Sequence, residues 1–176
     1  MFKNILVPTD GSDSSQHAVR MAVELAKTHQ ARITGIHVIP DYHLLIAYEG
    51  AFDPVTEERI EQEAKARADK YLAFVRSAAE EAGIPCDTVC ETSDHPYDAI
   101  LKTAEARKTD LIVMTSHGRK GLAAVLLGSE TRKVLTHAKI PVLVVRGVLQ
   151  RAGTSQSIER YWLPGRILEA LFFASQ

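Results

Sequence analysis

The chain lacks the features that mark several large classes of protein. It has two cysteines and one tryptophan among 176 residues, and no apolar run approaches the roughly 20 residues that cross a bilayer. Its formal net charge is −1, so no excess of positive charge would attract nucleic acid or an anionic membrane. Pro8 and Asp10 interrupt the N-terminus before a signal-like apolar segment can form. We therefore expect a cytoplasmic protein that binds neither nucleic acid nor membranes.

The few cysteines also argue against a disulfide-stabilised fold. Cys86 and Cys90 lie four residues apart in a predicted strand. This spacing places both on one face of the strand and about 13 Å apart, which is too far for a disulfide bond. We interpret both as small, buried hydrophobic side chains in a reducing compartment.

What the sequence does contain is typical of one globular domain. Hydrophobic residues make up 45% and charged residues 24% of the chain. Short apolar runs predict strands at Lys3–Val7, Ala31–Ile39, Asp87–Glu91, Leu111–Met114 and Val142–Val145. Apolar spacing of three and four residues predicts helices after the capping segment Ser12–Ser15, at Val55–Ala82 and Tyr97–Arg107, and from about Ser129.

Two of these helices carry more detailed predictions. The first helix is expected to bury an apolar face made of Ala18, Met21, Ala22, Leu25 and Ala26. The long second helix is expected to end at Gly83, in the C′ position where a left-handed backbone is common, with Pro85 preventing its continuation.

The alternation of strands and helices predicts an α/β fold. Because every connection between strands is helical, we expect an open five-stranded, mostly parallel, Rossmann-like sheet with helices on both faces. The polar strand Asp87–Glu91 is expected near an edge. Sheets of this kind bind ligands beyond the carboxyl ends of their strands, where the strand order reverses. Those ends are Pro8–Asp10, the residues after Val38, and Thr115–Gly118.

One stretch, Leu111 to Arg132, combines a buried strand, a glycine-bearing loop and the start of a helix. After the strand come Thr115-Ser116-His117-Gly118, nine further residues, and then Gly128-Ser129. The first N–H groups of a helix have no partner within it and lie at the positive end of its dipole. Glycine lets the backbone approach a ligand without a Cβ in the way. This arrangement predicts a phosphate-binding loop.

Each of these features also has a purely structural interpretation. Gly118 and Gly128 are compatible with ordinary turns, and Ser129 with an N-cap whose hydroxyl satisfies helix N–H groups. Asp10 is compatible with a turn that follows Pro8. Four basic residues near the loop either clamp phosphates or are solvated, namely Arg119, Lys120, Arg132 and Lys133. The histidines lack metal-ligand spacing, so we predict no metal site formed by the protein.

Three segments in chain order resemble the universal stress protein family. They are ILVPTDGS at 5–12, GIHVI at 35–39 and MTSHGRKGLAAVLLGSETRKVLTHAKIPVLVVR at 114–146. The resemblance covers about residues 1–147, which we treat as one α/β domain. The ATP-binding branch of that family has the pattern G-x-x-G, nine residues, then G-[ST]. This chain keeps the spacing, with Thr115 in place of the first glycine.

The resemblance implies that ATP, with or without magnesium, binds beyond the sheet. It places around the nucleotide Pro8, Thr9, Asp10, Val38, Met114, Thr115, Gly118, Gly128, Ser129, Glu130 and Thr131. Asp10 then faces the nucleotide, Val38 lines the adenine slot, and Met114 and Thr115 lie by the base and ribose. The remaining residues, from Gly118 to Thr131, surround the triphosphate. Because a carboxylate repels phosphates, Glu130 is expected to contribute its backbone N–H while its side chain turns away or shares a metal.

The resemblance also implies a function, that of an ATP-binding stress-response or regulatory protein that dimerises through Val142–Val145. ATP occupancy would order the loop and shift contacts with the second copy or with a protein partner that the sequence does not identify. The chain has no Walker A lysine motif and no pairing of a general base with a positioned water. We therefore expect no catalytic residues and at most slow hydrolysis.

Two other classes of function compete with this one. The first is an interaction protein of the same fold that binds no nucleotide because the Thr115 side chain blocks the pocket; the alternative effect of Thr115 is a hydroxyl bond to the ribose. The second is an enzyme, since Thr9–Ser14 partly resembles the S-G-G-x-D-S loop of ATP-pyrophosphatase ligases. Asp10 replaces a glycine of that loop and brings negative charge to the place of pyrophosphate.

Two segments outside the repeating pattern have two interpretations each. Tyr42, Tyr48 and Phe52, in a predicted long loop, either cover the nucleotide or pack on a neighbouring protein. The C-terminal extension, 148–176, contains at most a short helix, Arg166 to Ala174, after Pro164-Gly165. It either docks onto the domain or a partner subunit, or forms a loosely ordered tail.

Overall fold

A computed structural model describes residues 1–41, 54–116 and 127–146 of the chain. Strands in these ranges are β1 (Asn4–Pro8), β2 (Arg32–Ile39), β3 (Cys86–Thr92), β4 (Leu111–Thr115) and β5 (Val142–Val145). Helices are α1 (Asp13–His29), α2 (Pro54–Glu81), α3 (Pro96–Ala106) and α4 (Ser129–His137). The elements predicted within these ranges are all present, with bounds shifted by one or two residues at most ends.

The five strands form one sheet in the order β3-β2-β1-β4-β5, and each neighbouring pair is parallel. The predicted α/β fold is therefore confirmed. The chain builds outward from β1 to β3 and then returns to the opposite side of β1 with β4. The strand order consequently reverses between β1 and β4, and the carboxyl ends of these two strands form the crevice at which such sheets bind ligands. The prediction that the polar third strand lies at an edge is also correct.

Helices cover both faces of the sheet. Alternate side chains of each buried strand point to opposite faces, and since those on both faces are apolar, both faces need cover. Beneath α1 and α2 lie Ile5, Val7, Ile33, Leu111 and Val113. Beneath α3 and α4 lie Leu6, Ile36, Ile112, Met114 and Val142. Strands with apolar residues toward both layers appear in the sequence as continuous apolar runs, which is why their number was predictable.

The predicted end of α2 is correct in its geometry. Gly83 has a φ of +69°. Its N–H donates to the Glu80 carbonyl at 2.9 Å, and the N–H of Ile84 donates to the Ala79 carbonyl at 2.9 Å. This pair of bonds is a Schellman motif, which satisfies carbonyls left without partners at the end of a helix.

The predicted apolar face of α1 is wrong at Met21, which is 39% exposed. Its place is taken by Val19 and Val23, which the prediction omitted and which are buried. The buried stripe runs through positions 15, 18, 19, 22, 23 and 26. Met21 and Leu25 lie along one flank of this stripe, so spacing alone did not determine where the buried face ends.

The interpretation of both cysteines as buried is also wrong. Cys86 is half-buried and Cys90 is exposed; both are free thiols. They lie on β3, which is an edge strand of the described sheet, pairs with β2, and has its last three residues exposed. None of the helices in the described ranges is long and apolar enough to span a membrane.

Candidate functional site

The carboxyl ends of β1, β2 and β4 bring the predicted site segments to one edge of the sheet. β1 lies between the other two strands, with Pro8 opposite Ile36 in the register with β2. The register with β4 pairs Leu6 with Ile112, so the loop after Pro8 lies beside Thr115. The topology therefore places next to each other three segments that are far apart in the sequence.

The first loop is fixed mainly through Thr9, which is buried. Its N–H donates to the carbonyl of Ile36 at 2.9 Å, and its own carbonyl lies 2.7 Å from Nδ1 of His37. The Thr9 hydroxyl is 3.1 Å from the hydroxyl of Ser15 in α1 and accepts the N–H of Gly11 at 3.2 Å. Thr9 thus links β1, β2 and α1, and its side chain stabilises the conformation of the loop.

The carboxylate of Asp10 forms an Asx turn with Ser12. One oxygen accepts both the Ser12 N–H at 3.0 Å and the Ser12 hydroxyl at 2.6 Å. Ser12 in turn caps α1, because its Oγ accepts the N–H of Ser15 at 3.2 Å. The turn role considered for Asp10 is therefore realised, and any ligand contact has to be made alongside it.

His37 and Tyr71 pack against this loop, and neither was predicted from the sequence to belong to the site. The ring of Tyr71, from α2, contacts His37 edge-to-face at a centroid distance of 5.2 Å. The same ring occupies the space that a Cβ on Gly11 would need, and Gly11 has a φ of +77°. The sequence feature that could have indicated a role for His37 in the site was its position near the end of β2, next to Val38.

The start of α4 differs from the interpretation of Ser129 as an N-cap. Gly128 is the N-cap, and Ser129 is already the first helical residue. The N–H of Gly128 donates to the carbonyl of Ser116 at 2.8 Å, and the first bond within the helix runs from the Arg132 N–H to the Gly128 carbonyl at 3.0 Å. The N–H groups of residues 129–131 precede that bond and belong to the first turn, whose donors have no carbonyl partner inside the helix.

The side chains of Glu130 and Thr131 form hydrogen bonds with neighbouring elements. Thr131 is buried, and its hydroxyl donates to the carbonyl of Thr115 at 2.9 Å. The Glu130 carboxylate accepts the N–H of Tyr97 at 2.9 Å and the ammonium of Lys133 at 2.9 Å. Both side chains therefore hold α4 in place, on β4 and on α3 respectively.

Two of the residues predicted near the base and ribose, Val38 and Met114, lie on the α3 and α4 side of the sheet. Met114 is buried in the core cluster of that layer, and Val38 is half-buried against the same cluster. Thr115 ends β4 with 8% of its surface exposed. Met114 and Thr115 consequently offer mainly backbone to a ligand above the sheet.

Several predictions concern residues outside the described ranges. They are the ones made for Gly118, Arg119 and Lys120, for Tyr42, Tyr48 and Phe52, and for the extension 148–176. Among the residues that are described, no group of three or more His, Cys, Asp or Glu side chains could hold a metal ion.

Comparison with known proteins gives consistent results. Residues 1–146 match the universal stress protein family. A universal stress protein of Methanocaldococcus jannaschii is 35% identical over 147 residues, which span 83% of this chain and 83% of that protein. The structure of UspA from Lactobacillus plantarum superposes with a TM-score of 0.67 at 28% identity, covering 82% of this chain and 98% of that one. A universal stress protein in complex with cAMP has a TM-score of 0.56 at 26% identity, covering 82% and 97%.

Proposed function

The chain belongs to the universal stress protein family, and from this premise we propose that it is an ATP-binding regulatory module of the stress response. In this proposal the module acts as a homodimer in the cytoplasm, with little or no turnover of the nucleotide. Binding of ATP beside the start of α4 changes the surface that a partner meets.

The observation that carries the proposal is the start of α4. The backbone N–H groups of residues 129–131 lie in its first turn, next to the point between β1 and β4 where the strand order reverses. A helix N-terminus at such a point favours an anion through both its donors and its dipole. That a similar universal stress protein is found in complex with cAMP supports an adenine nucleotide as the source of the anion.

The choice of ATP rests on the spacing of the loop between Gly118 and Gly128. Magnesium, if it accompanies ATP, would be held mainly by the phosphates in this proposal. The carboxylates of Asp10 and Glu130 are already engaged, Asp10 with Ser12 and Glu130 with Tyr97 and Lys133. The protein would then contribute uncharged backbone N–H groups to the phosphates. The metal would reduce the repulsion between the phosphates and Glu130.

A second candidate function is supported by Thr115. It is buried at the end of β4, at the position where the ATP-binding pattern has a glycine. If its side chain fills the ribose site, the chain is an interaction protein of the same fold that binds no nucleotide. The two functions differ in one measurable quantity, the affinity for ATP.

Substitution of Ser129 by proline tests the proposed function at a single donor. Proline is tolerated at the first position of a helix, and Gly128 already has an extended backbone (φ −56°, ψ 152°) that suits a following proline. Ser129→Pro removes one N–H from the first turn, whereas Ser129→Ala keeps that N–H and removes only the hydroxyl. Because a hydrogen bond to a charged group contributes about 1.5–3 kcal/mol, we expect ATP binding to weaken at least about tenfold in the proline variant.

The measurement is calorimetric titration of ATP into the purified protein, after extraction and chromatography of any nucleotide that co-purifies. Circular dichroism shows whether both variants retain the fold. Absence of binding by the unsubstituted protein at millimolar ATP would favour the interaction protein. Equal affinity of the alanine and proline variants would place the phosphates elsewhere.

A further inference from the structure

Glu130 connects the helix that begins the proposed nucleotide site to the neighbouring helix α3. At the start of α3, Pro96 has no N–H, and the N–H groups of Asp98 and Ala99 both donate to the carbonyl of His95. The remaining donor of this turn is the N–H of Tyr97, and it donates to Oε2 of Glu130 at 2.9 Å. His95, the N-cap residue, makes no side-chain capping bond. Glu130 therefore caps α3 from a position 33 residues further along the chain.

The same carboxylate is a fixed negative charge in the first turn of α4. Its other oxygen accepts the ammonium of Lys133 at 2.9 Å, and the side chains of Glu130 and Lys133 are 35% and 46% exposed. Solvent weakens an ion pair with this exposure, so Lys133 offsets the charge only in part. The backbone N–H of Glu130 is itself one of the three donors of the first turn. A phosphate on those donors would lie within about one Debye length, 8 Å, of the carboxylate.

We propose that Glu130 determines how strongly the site discriminates among adenine nucleotides by the charge of their phosphates. This inference rests on the proposed function. The repulsion between the Glu130 carboxylate and the nucleotide grows with each added phosphate charge. The attraction between the phosphates and the backbone N–H groups is limited by the number of these groups. The side chain thus reduces the advantage of ATP over AMP without contacting either nucleotide, and its bonds to Tyr97 and Lys133 hold it in that position.

Substitution of Glu130 by glutamine removes the charge and keeps an oxygen that can accept the Tyr97 N–H. The dissociation constants of AMP, ADP and ATP are measured for both proteins without divalent metal, at low and at high salt. We expect Glu130→Gln to strengthen ATP binding by about fivefold and AMP binding by about twofold or less, with the difference shrinking at high salt. Lys133→Gln should act in the opposite direction and weaken ATP binding more than AMP binding.

Glu24→Gln is the matched control, because Glu24 is an exposed carboxylate on α1 remote from the site. It should leave all three dissociation constants unchanged. If Glu130→Gln changes the affinity for the three nucleotides by one common factor, or changes none, Glu130 has a structural role only and the inference is wrong. If the unsubstituted protein binds none of the three nucleotides, the proposed function fails first and the inference fails with it.

Discussion

Nδ1 of His37 lies 2.7 Å from the carbonyl oxygen of Thr9. Because a carbonyl oxygen only accepts hydrogen bonds, Nδ1 carries the hydrogen and donates it. This bond ties the end of β2 to the loop that follows β1, and the ring of Tyr71 supports His37 from α2. The loop that carries Asp10 is therefore shaped by three elements that are separated in the sequence.

Replacement of His37 tests this support. Asparagine places an N–H donor near the position of Nδ1, whereas leucine fills the space without donating. We expect His37→Leu to lower the free energy of unfolding by about 1 kcal/mol or more and to weaken nucleotide binding, and His37→Asn to recover most of both losses. Urea denaturation and ATP titration of the two variants check this. Equal behaviour of the two variants would show that the hydrogen bond has no part in the stability of the loop.

Gly11 and Gly83 provide a matched pair for the contact with Tyr71. Both have positive φ values, +77° and +69°, but an added Cβ at Gly83 meets no atom within 4 Å, whereas at Gly11 it overlaps the Tyr71 ring. We expect Gly83→Ala to cost about 1 kcal/mol, from backbone strain alone. Gly11→Ala should cost about 2 kcal/mol more, because the ring must move. Thermal or urea unfolding gives both values, and equal costs would contradict the contact.

Glu130 should stabilise the protein as a cap on α3. Glu130→Ala leaves the Tyr97 N–H without its partner, and we expect a loss of about 1 kcal/mol in the free energy of unfolding. Glu130→Gln should lose less than half of that, since its amide oxygen can still accept. Hydrogen exchange at the Tyr97 amide provides the local measurement: exchange should be faster in the alanine variant than in the glutamine variant. Unchanged exchange in both would show that water replaces the cap without cost.

The two thiols should react slowly at neutral pH. Partial burial raises the pKa of Cys86, with Asp87 adding to the effect. The smaller loss of hydration at the more exposed Cys90 also raises its pKa, with Asp69 and Glu91 adding to it. A raised pKa means less thiolate at neutral pH. We expect both thiols to be alkylated by iodoacetamide more slowly at pH 7.5 than the thiol of an unstructured cysteine peptide. Their alkylation rates should still rise with pH after the rate of the peptide has levelled off.

The exposed Cys90 should react before the half-buried Cys86. Mass spectrometry of partly alkylated protein identifies the order, and Cys90→Ser isolates the slower site. A rate that reaches its plateau at or below the pH found for the peptide would contradict the raised pKa values.

The proposed homodimer can be tested at the edge strand β5. The carbonyls of Pro141 and Val145 accept N–H groups from Ile112 of β4 and from Ser116, which directly follows β4. Alternation along a strand then directs the backbone N–H of Val144 away from β4. In the proposed dimer a second chain accepts this N–H, and Val144→Pro removes it without a loss in the β4–β5 pairing, so we expect a folded monomer in analytical ultracentrifugation.

Leu143→Pro serves as the contrasting variant, because the N–H of Leu143 points toward β4 by the same alternation. It should destabilise the fold itself. A Val144→Pro protein that remains dimeric would move the interface away from β5.

The type and order of the helices and strands were predictable because they depend on local patterns. Buried parallel strands are continuous apolar runs, and amphipathic helices repeat every three to four residues. Gly83 followed by Pro85 indicates a helix end through the backbone preferences of these two residues alone. The position of the crevice follows from the same information, since helical connections require parallel strands whose carboxyl ends share one edge.

The hydrogen-bond partners within that crevice were not predictable in this way. Glu130 and Tyr97 are 33 residues apart, and His37 and Thr9 are 28 apart. Which atoms meet across such separations depends on the distances between packed elements, which no local pattern contains. The exposure of Met21 and Cys90 has the same origin, because it depends on which neighbour covers each element.

From the sequence alone came the α/β architecture, the family resemblance and the edge of the sheet at which a ligand is expected. Only the tertiary structure decided that Gly128 is the N-cap of α4, that Glu130 caps α3, and that His37 and Tyr71 support the first loop. The physical reason is that hydrophobic periodicity is a property of neighbouring residues, whereas a hydrogen bond between residues far apart in the sequence forms only after packing has fixed their separation.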